Sequence, residues 1–389
     1  MNQNGYWSSC KHQNMVQYCD MSTPNKWEQL HGEQLLTELQ SMSIQENISD
    51  IHTSPEKKYV RLEIRRHGML ELIGKIEHRV YEDYVRRVKF ESKLKLNIVN
   101  IPQDGQYTFE APNRIVNVRV ATLPSRFGEK LTLRLLDPVR GIVPLEELGF
   151  PKEIYEEMRR VAHMPHGLFL ITGPTGSGKT TTLYALLSTL VGKSRNIITL
   201  EDPIEYELQG IVQSQVDHAH DYNFATGLRA ILRHDPDVVL VGEIRDLETA
   251  QTAVDASLTG HIVLSTLHTN SAVEAIPRLL SMGVSPYTFA PALRAVLAQR
   301  LVRTLTENCR KPETQCDPAD NASYDGRMAI PELLVIDEKL REMILLNETA
   351  DAITKYAKEH GYRTMQEWGK LLVSARMTTQ SEVERVTAV

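Results

Sequence analysis

The sequence predicts an α/β protein: a mostly parallel sheet with helices on both faces, preceded by a small α+β domain. Three observations carry this. Four short, mainly apolar runs, "LFLIT", "NIITL", "VVLVG" and "HIVLSTL", alternate with helical or polar sequence, the pattern of strands buried on both faces. Upstream, residues 33–137 combine one helical period with runs that alternate apolar and polar, the pattern of a mixed unit. Between the two lies "DPVRGIVPLEELGFP", where Pro138, Gly141, Pro144, Gly149 and Pro151 break any regular element and mark a linker over 138–151.

The elements follow in order. Residues 1–32 are rich in Asn, Gln, Ser and His without sustained periodicity, and read as a loosely ordered leader. Leu35, Leu36, Leu39 and Met42 recur at helical spacing, and strand-like sequence begins near Ile48. "YVRLEIRRHGML" alternates as a strand does, "EDYVRRVKFESKL" is an amphipathic helix, "QDGQ" is a turn, and "RIVNVRV" is a further strand. From residue 152 to 389 the strand-and-helix alternation of the second domain takes over.

Composition narrows the class. The chain has 389 residues, enough for two or three domains of ~150 residues. Hydrophobic content of 41% and charged content of 24% are those of a soluble globular protein. No apolar run reaches the ~18 residues of a membrane span, and no secretory signal opens the chain. A cytoplasmic protein is expected, with any membrane contact made through partners. A net charge of −6 without a basic stripe argues against nucleic acid. Cys10, Cys19, Cys309 and Cys316 form no CxxC pair and are expected to be reduced.

The chemistry starts at "ITGPTGSGKTTTLYALL". Gly173, Gly178, Lys179 and Thr180 spell GxxxxGKT between a buried strand and a helix, the context in which backbone N–H groups curl around phosphates. The expected nucleotide site is therefore Gly173, Pro174, Thr175, Gly176, Ser177, Gly178, Lys179, Thr180 and Thr181. Lys179 reaches the terminal phosphates of ATP and Thr180 a Mg²⁺ ion, and the helix N-terminus adds its positive end. Glu201, Asp202, Glu205 and Glu243 stand at strand ends, where ligands of open α/β sheets bind. Either Glu243 or Glu201 orients the attacking water, and Glu243, the acidic residues of "LEDPIE" or water completes the magnesium shell with Thr180. Gly242 stands where many such ATPases carry a magnesium-side Asp. His261 and His268 bracket one strand without metal-ligand spacing. His268, at the carboxyl end, is either a satisfied core group or a sensor of the γ-phosphate.

These segments together resemble the type II secretion and type IV pilus assembly ATPases: "GPTGSGKTTTLY", "ITLEDPIE", "GLRAILRHDPDVVLVGEIRD" and "TGHIVLSTLHTNSA" stand in that family's order. "ISDIHTSPEKKYVRLEIRRHGML" and "RVATLPSRFGEKLTLRLLD" resemble its PAS-like N-terminal domain, and "QRLVRTL" with "YDGRMAIPELLVIDEKLREMI" its C-terminal part. The resemblance implies a PAS-like domain over 33–137 joined by a flexible linker to a RecA-like ATPase domain with a C-terminal helical part. It implies a homo-hexamer with ATP between subunits, and catalytic roles for Glu243, Glu201, His268, Arg119 and Arg134. Arg61, Arg65, Arg229 and Arg233 are further candidates to act across an interface.

The expected partners are a polytopic inner-membrane platform protein and an associated cytoplasmic assembly protein, with the motor peripheral on the inner face of the cytoplasmic membrane. Pilus extension, secretion and a competence pilus remain open, and "GRMAIPELL" resembles the assembly branch rather than retraction. The family's four-cysteine zinc motif is reduced here to "NCRKPETQC", so no structural zinc is expected, and a helix after Tyr324 would hold the loop. The rival readings are a conjugative or DNA-translocating ATPase and a nucleotide-binding scaffold without turnover.

Overall fold

The computed structural model describes residues 26–192, 194–314 and 316–388. Most of the expected leader, with Cys10 and Cys19, lies outside the described residues. The chain divides into two compact units, and the division is not one cut. The described residues up to Arg65, with Leu70–Tyr107 and Arg119–Arg134, form the first; Arg66–Met69, Thr108–Val118 and the chain from Leu135 onward form the second.

The first unit is built on a six-stranded sheet of order β3-β2-β1-β6-β5-β4. Its strands are β1 (Ile48–Pro55), β2 (Val60–Arg66), β3 (Met69–Ile76), β4 (Gln103–Ala111), β5 (Arg114–Ser125) and β6 (Gly128–Leu136). Helices Gly32–Gln45 and His78–Glu91 bury Leu35, Leu36, Leu39, Tyr81, Tyr84 and Val88. "QDGQ" is not a turn: it opens β4. Gly105 is there because the chain passes close by, since a Cβ on it would lie 2.7 Å from Leu94 Cδ2 and 2.9 Å from the Ser92 carbonyl.

The second unit holds a seven-stranded sheet of order β13-β12-β7-β11-β10-β8-β9. The strands are β7 (Gly167–Thr172), β8 (Ile197–Glu201), β9 (Val212–Gln215), β10 (Val238–Val241), β11 (Ile262–Leu267), β12 (Leu293–Leu305) and β13 (Tyr324–Val335). All pairings are parallel except β12 with β13. Every residue of β7, β8, β10 and β11 is buried, which is why they read as mainly apolar runs rather than alternating ones. One face of the sheet packs on Leu183, Tyr184, Leu186 and Leu187 of helix Lys179–Ser188; the other packs on Ala250, Ala253 and Val254 of helix Leu247–Leu258.

Two expectations about the loop after β12 are corrected. Tyr324 opens β13 rather than a helix, paired with β12 from Leu305 back to Ala295. Cys309 and Cys316 are joined as a disulfide with their Cα atoms 5.6 Å apart, so this pair is not reduced: the loop folds back far enough to bring the two thiols together. Among the described residues no helix is long and apolar enough to cross a membrane.

Candidate functional site

Register builds the site. Thr172 pairs with Leu267, Val241 with Ser265, and Val241 with Leu200, so four parallel strands end side by side. The next residues are then Gly173, His268, Gly242 with Glu243, and Glu201, which is how segments distant in sequence meet. Lys179, Thr180, Tyr184, Glu201, Asp202, Glu205, Gly242, Glu243, Thr266 and His268 line one cleft of about 160 Å³.

The phosphate loop is shaped by glycine. Gly173, Gly176 and Gly178 have φ of +149°, +80° and +88°, a region that L side chains avoid. Gly178 caps helix Lys179–Ser188, aiming the positive helix end into the loop. Pro174, Thr175 and Gly176 are exposed, and Ser177 is buried with its hydroxyl unpartnered, a donor suited to an anion. The Lys179 ammonium donates to the Gly173 carbonyl at 2.7 Å and to that of Pro174 at 3.1 Å. Burial pushes its pKa down to about 8, against the opposing pull of Glu243 and with help from Arg300. Thr180 is exposed on the same cleft and Thr181 half-buried behind it.

The two candidate carboxylates differ. Glu201, 4% exposed, accepts from the Tyr184 hydroxyl, from Thr199 Oγ1 at 2.6 Å and from Gln213 Nε2 at 3.0 Å. Three of its roughly four acceptor sites are thus taken, and burial with the charge of Glu201 pushes the Tyr184 phenol far up. Glu243 faces two exposed partners, the Arg245 guanidinium and His268 Nε2 at 3.5 Å. Gly242 fits because a Cβ there would already press on the Leu200 carbonyl at 3.2 Å and on Phe224 at 3.3 Å. Asp202 meets His218 at 3.0 Å. His261 sits at the opposite end of β11, its ring nitrogen on the Ala256 carbonyl at 2.9 Å.

The arginines lie elsewhere. Arg119 on β5 and Arg134 on β6 line a concavity of the first unit's sheet with Asp104 and Thr132; Arg134 Nε donates to Asp50 at 2.9 Å. Arg65 approaches Asp50 at 3.9 Å and Arg61 approaches Glu56 at 3.3 Å. Arg229 is paired with Glu248 at 2.5 Å, and Arg233 donates to the Arg229 carbonyl at 2.9 Å.

Sequence reasoning missed the contribution of β12. Ala298 pairs with Thr172, which sets Gln299 beside the phosphate loop. Gln299 is 1% exposed, donates to the Ser177 carbonyl at 2.7 Å and accepts from Thr182 at 3.0 Å. The amide thus clamps the loop to its helix. Only recognising "LRAVLAQRLVRTL" as a strand would have revealed it.

A family model described as Type II/IV secretion system protein matches residues 28–385. The chain belongs to that family. Type II secretion system protein E of Dickeya dadantii is 44% identical over 374 residues, 91% of this chain and 75% of that one. Type II secretion system ATPase E of Vibrio cholerae is 42% identical over 376 residues with the same coverage. The pilus retraction motor PilT with bound ADP matches with a TM-score of 0.65 and 26% identity, covering 93% of this chain and 98% of that one. The Legionella pneumophila ATPase DotB, at a TM-score of 0.72 and 24% identity over 95% of this chain and 98% of its own, shares the fold. The protein is an ATP-hydrolysing traffic ATPase of the secretion and pilus class.

Proposed function

We propose that the protein is a hexameric cytoplasmic motor that hydrolyses ATP to drive type IV pilus or pseudopilus assembly or type II secretion. It works on the inner face of the cytoplasmic membrane, through a polytopic platform protein and a cytoplasmic assembly protein, and does not require nucleic acid. Residues 33–137 act as a PAS-like domain, joined through the hinge at 138–151 to the RecA-like motor at 152–389. The observation that carries the reading is the cleft itself: a phosphate loop, Glu243 and His268 at adjacent strand ends in a chain of this family.

In this reading the loop N–H groups and the helix end hold the phosphates of ATP. The Lys179 ammonium leaves its two carbonyl acceptors for phosphate oxygens, which are stronger partners for a cation. Thr180 and Glu243 present oxygen donors to one cleft, a set that fits a hard cation. Mg²⁺ bound there supplies charge neutralisation on the terminal phosphates. Glu243, rather than Glu201, orients the attacking water and takes its proton, because three donors already occupy most of the acceptor sites of the buried Glu201. His268 sits between Glu243 and the phosphate loop as the sensor of the γ-phosphate. Glu201 instead locks Tyr184, Thr199 and Gln213 beneath the site.

The test is a pair of substitutions. Glu243→Gln should retain nucleotide binding and lose at least ~10²-fold in turnover, while Glu201→Gln should mainly lower stability. Wild-type turnover in Glu243→Gln would sink the assignment. No structural zinc is proposed, because the loop after β12 offers two cysteines, Cys309 and Cys316, where a structural site takes four ligands. Elemental analysis of untagged protein should find zinc far below one ion per chain; near-stoichiometric zinc would overturn this.

A further inference from the structure

The loop after β11 brings His268 to Glu243, and three strands fix it. At β7, Thr172 Oγ1 accepts from Thr269 N at 2.8 Å. At β12, Arg300 Nη2 donates to the Asn270 carbonyl at 3.2 Å and to its Oδ1 at 3.3 Å. At β13, Glu332 Oε1 accepts from Ala272 N at 2.8 Å. The same carboxylate reaches the other way: Oε1 also accepts the Tyr362 hydroxyl, and Oε2 accepts Met365 N at 3.2 Å. Glu332 is 4% exposed, and its charge acts on the Arg300 guanidinium.

A carboxylate buried this deeply is expensive unless donors converge on it. Where β13 needs only to pack, it uses apolar residues: Ile330, Leu333 and Leu334 are all buried. Glu332 differs because its donors come from two places with separate roles. Ala272 belongs to the loop that carries His268, whereas Tyr362 and Met365 lead into helix Met365–Ser374.

We infer that Glu332 is a positioning residue for hydrolysis. By holding Ala272 it sets the loop from which His268 meets Glu243, and it ties that loop to the C-terminal helices. It touches neither nucleotide nor attacking water. The inference rests on the assignment of Glu243 and His268 to the working site.

Glu332→Gln keeps the shape but leaves one acceptor oxygen for three donors. With that oxygen toward Ala272 and Tyr362, the new amide nitrogen faces the Met365 N–H; flipped, it faces the other two. The experiment measures steady-state ATPase, equilibrium binding of a fluorescent ATP analogue and thermal melting on the full chain. Glu332→Gln should hold KM and the analogue's Kd within ~2-fold while kcat falls ~10-fold. An unchanged kcat would overturn the inference, as would a parallel loss of nucleotide binding, which would mark Glu332 as a support of the fold alone. If Glu332→Gln does not fold, Tyr362→Phe decides, since it deletes a single hydroxyl: kcat down ~3-fold at constant KM supports the inference, and unchanged kcat overturns it. Glu243→Gln run alongside separates the two readings. An active Glu243→Gln defeats the site assignment, whereas an inactive one beside a fully active Glu332→Gln defeats only the role of Glu332.

Discussion

At the scale of single residues, two glycines of the phosphate loop make opposite demands. A Cβ on Gly173 would lie 2.6 Å from Ser177 Oγ and 2.7 Å from the Gln299 carbonyl, so the loop must move. A Cβ on Gly176 would meet nothing within 4 Å, leaving only the strain of φ at +80°, ~1–2 kcal/mol. Gly173→Ala should therefore lose at least ~10-fold in nucleotide affinity and melt several degrees lower, while Gly176→Ala shifts melting by only a few degrees. Equal melting temperatures for the two variants would defeat the steric account. The same contrast shows what the sequence could tell. Lys179, Thr180, Glu243 and His268 were legible because each sits in a local motif whose neighbours announce it. Gln299, Arg300 and Glu332 were not, because their partners are 122, 30 and 60 residues away and their roles come from strand pairing rather than spacing.

At the scale of elements, β7, β8, β10 and β11 declared themselves by short apolar runs while the parallel strands β9 and β12 did not, and other failures came where burial and local pattern disagree. "QDGQ" has turn composition yet lies in β4, because Gly105 answers to the packing of Leu94. Lys89 sits on a helix read as amphipathic, but it is 1% exposed and paired with Glu129 at 2.6 Å. The C-terminal helix Gln380–Thr387 is tied to β12 by a charge that composition could not place. Glu382 accepts from Arg303 Nη2 at 2.6 Å and Arg385 Nη2 at 2.7 Å. Burial alone would raise its carboxyl, but the bonds from Arg385 and Arg303 outweigh that and bring it down to about 2. Its contribution is complete above the ordinary value near 4.5 and is lost as pH falls from there toward 2. Glu382→Gln should cost about 3 kcal/mol near neutrality, since it strands a buried guanidinium. Melting curves of both proteins from pH 7 to 3 check the sign: the gap should narrow on the acid side. A gap constant across that range would mean that the pair does not carry the docking.

At the scale of the whole molecule, the cleft of one chain supplies most of what phosphoryl transfer needs, but its nearby guanidinium groups are committed. Arg245 is paired with Glu243, Arg300 donates to Gln299 and Asn270, and Arg229 is held by Glu248. Charge building on the transferring phosphate is normally met by an arginine, and an arginine of the same chain would have to give up these partners first; it is expected to come from another copy of the chain. Arg119 and Arg134, on the sheet of the first unit, are the candidates; Arg134 would exchange its bond to Asp50 for phosphate oxygens, and activity should then depend on assembly. Specific activity should fall on dilution. Mixing provides the sharper measurement, with Arg119→Ala and Lys179→Ala each nearly inactive alone. In a mixed ring, an Arg119→Ala subunit keeps an intact phosphate loop, and its Lys179→Ala neighbour keeps an intact Arg119. If sites act independently, a one-to-one mixture should recover about a quarter of wild-type turnover, because half the loops are intact and half of those face an intact arginine. If Arg119 served the loop of its own chain, no intact site would form and the mixture would stay as inactive as its parts; that result would remove Arg119 from the trans-acting set and leave the same experiment to be asked of Arg134.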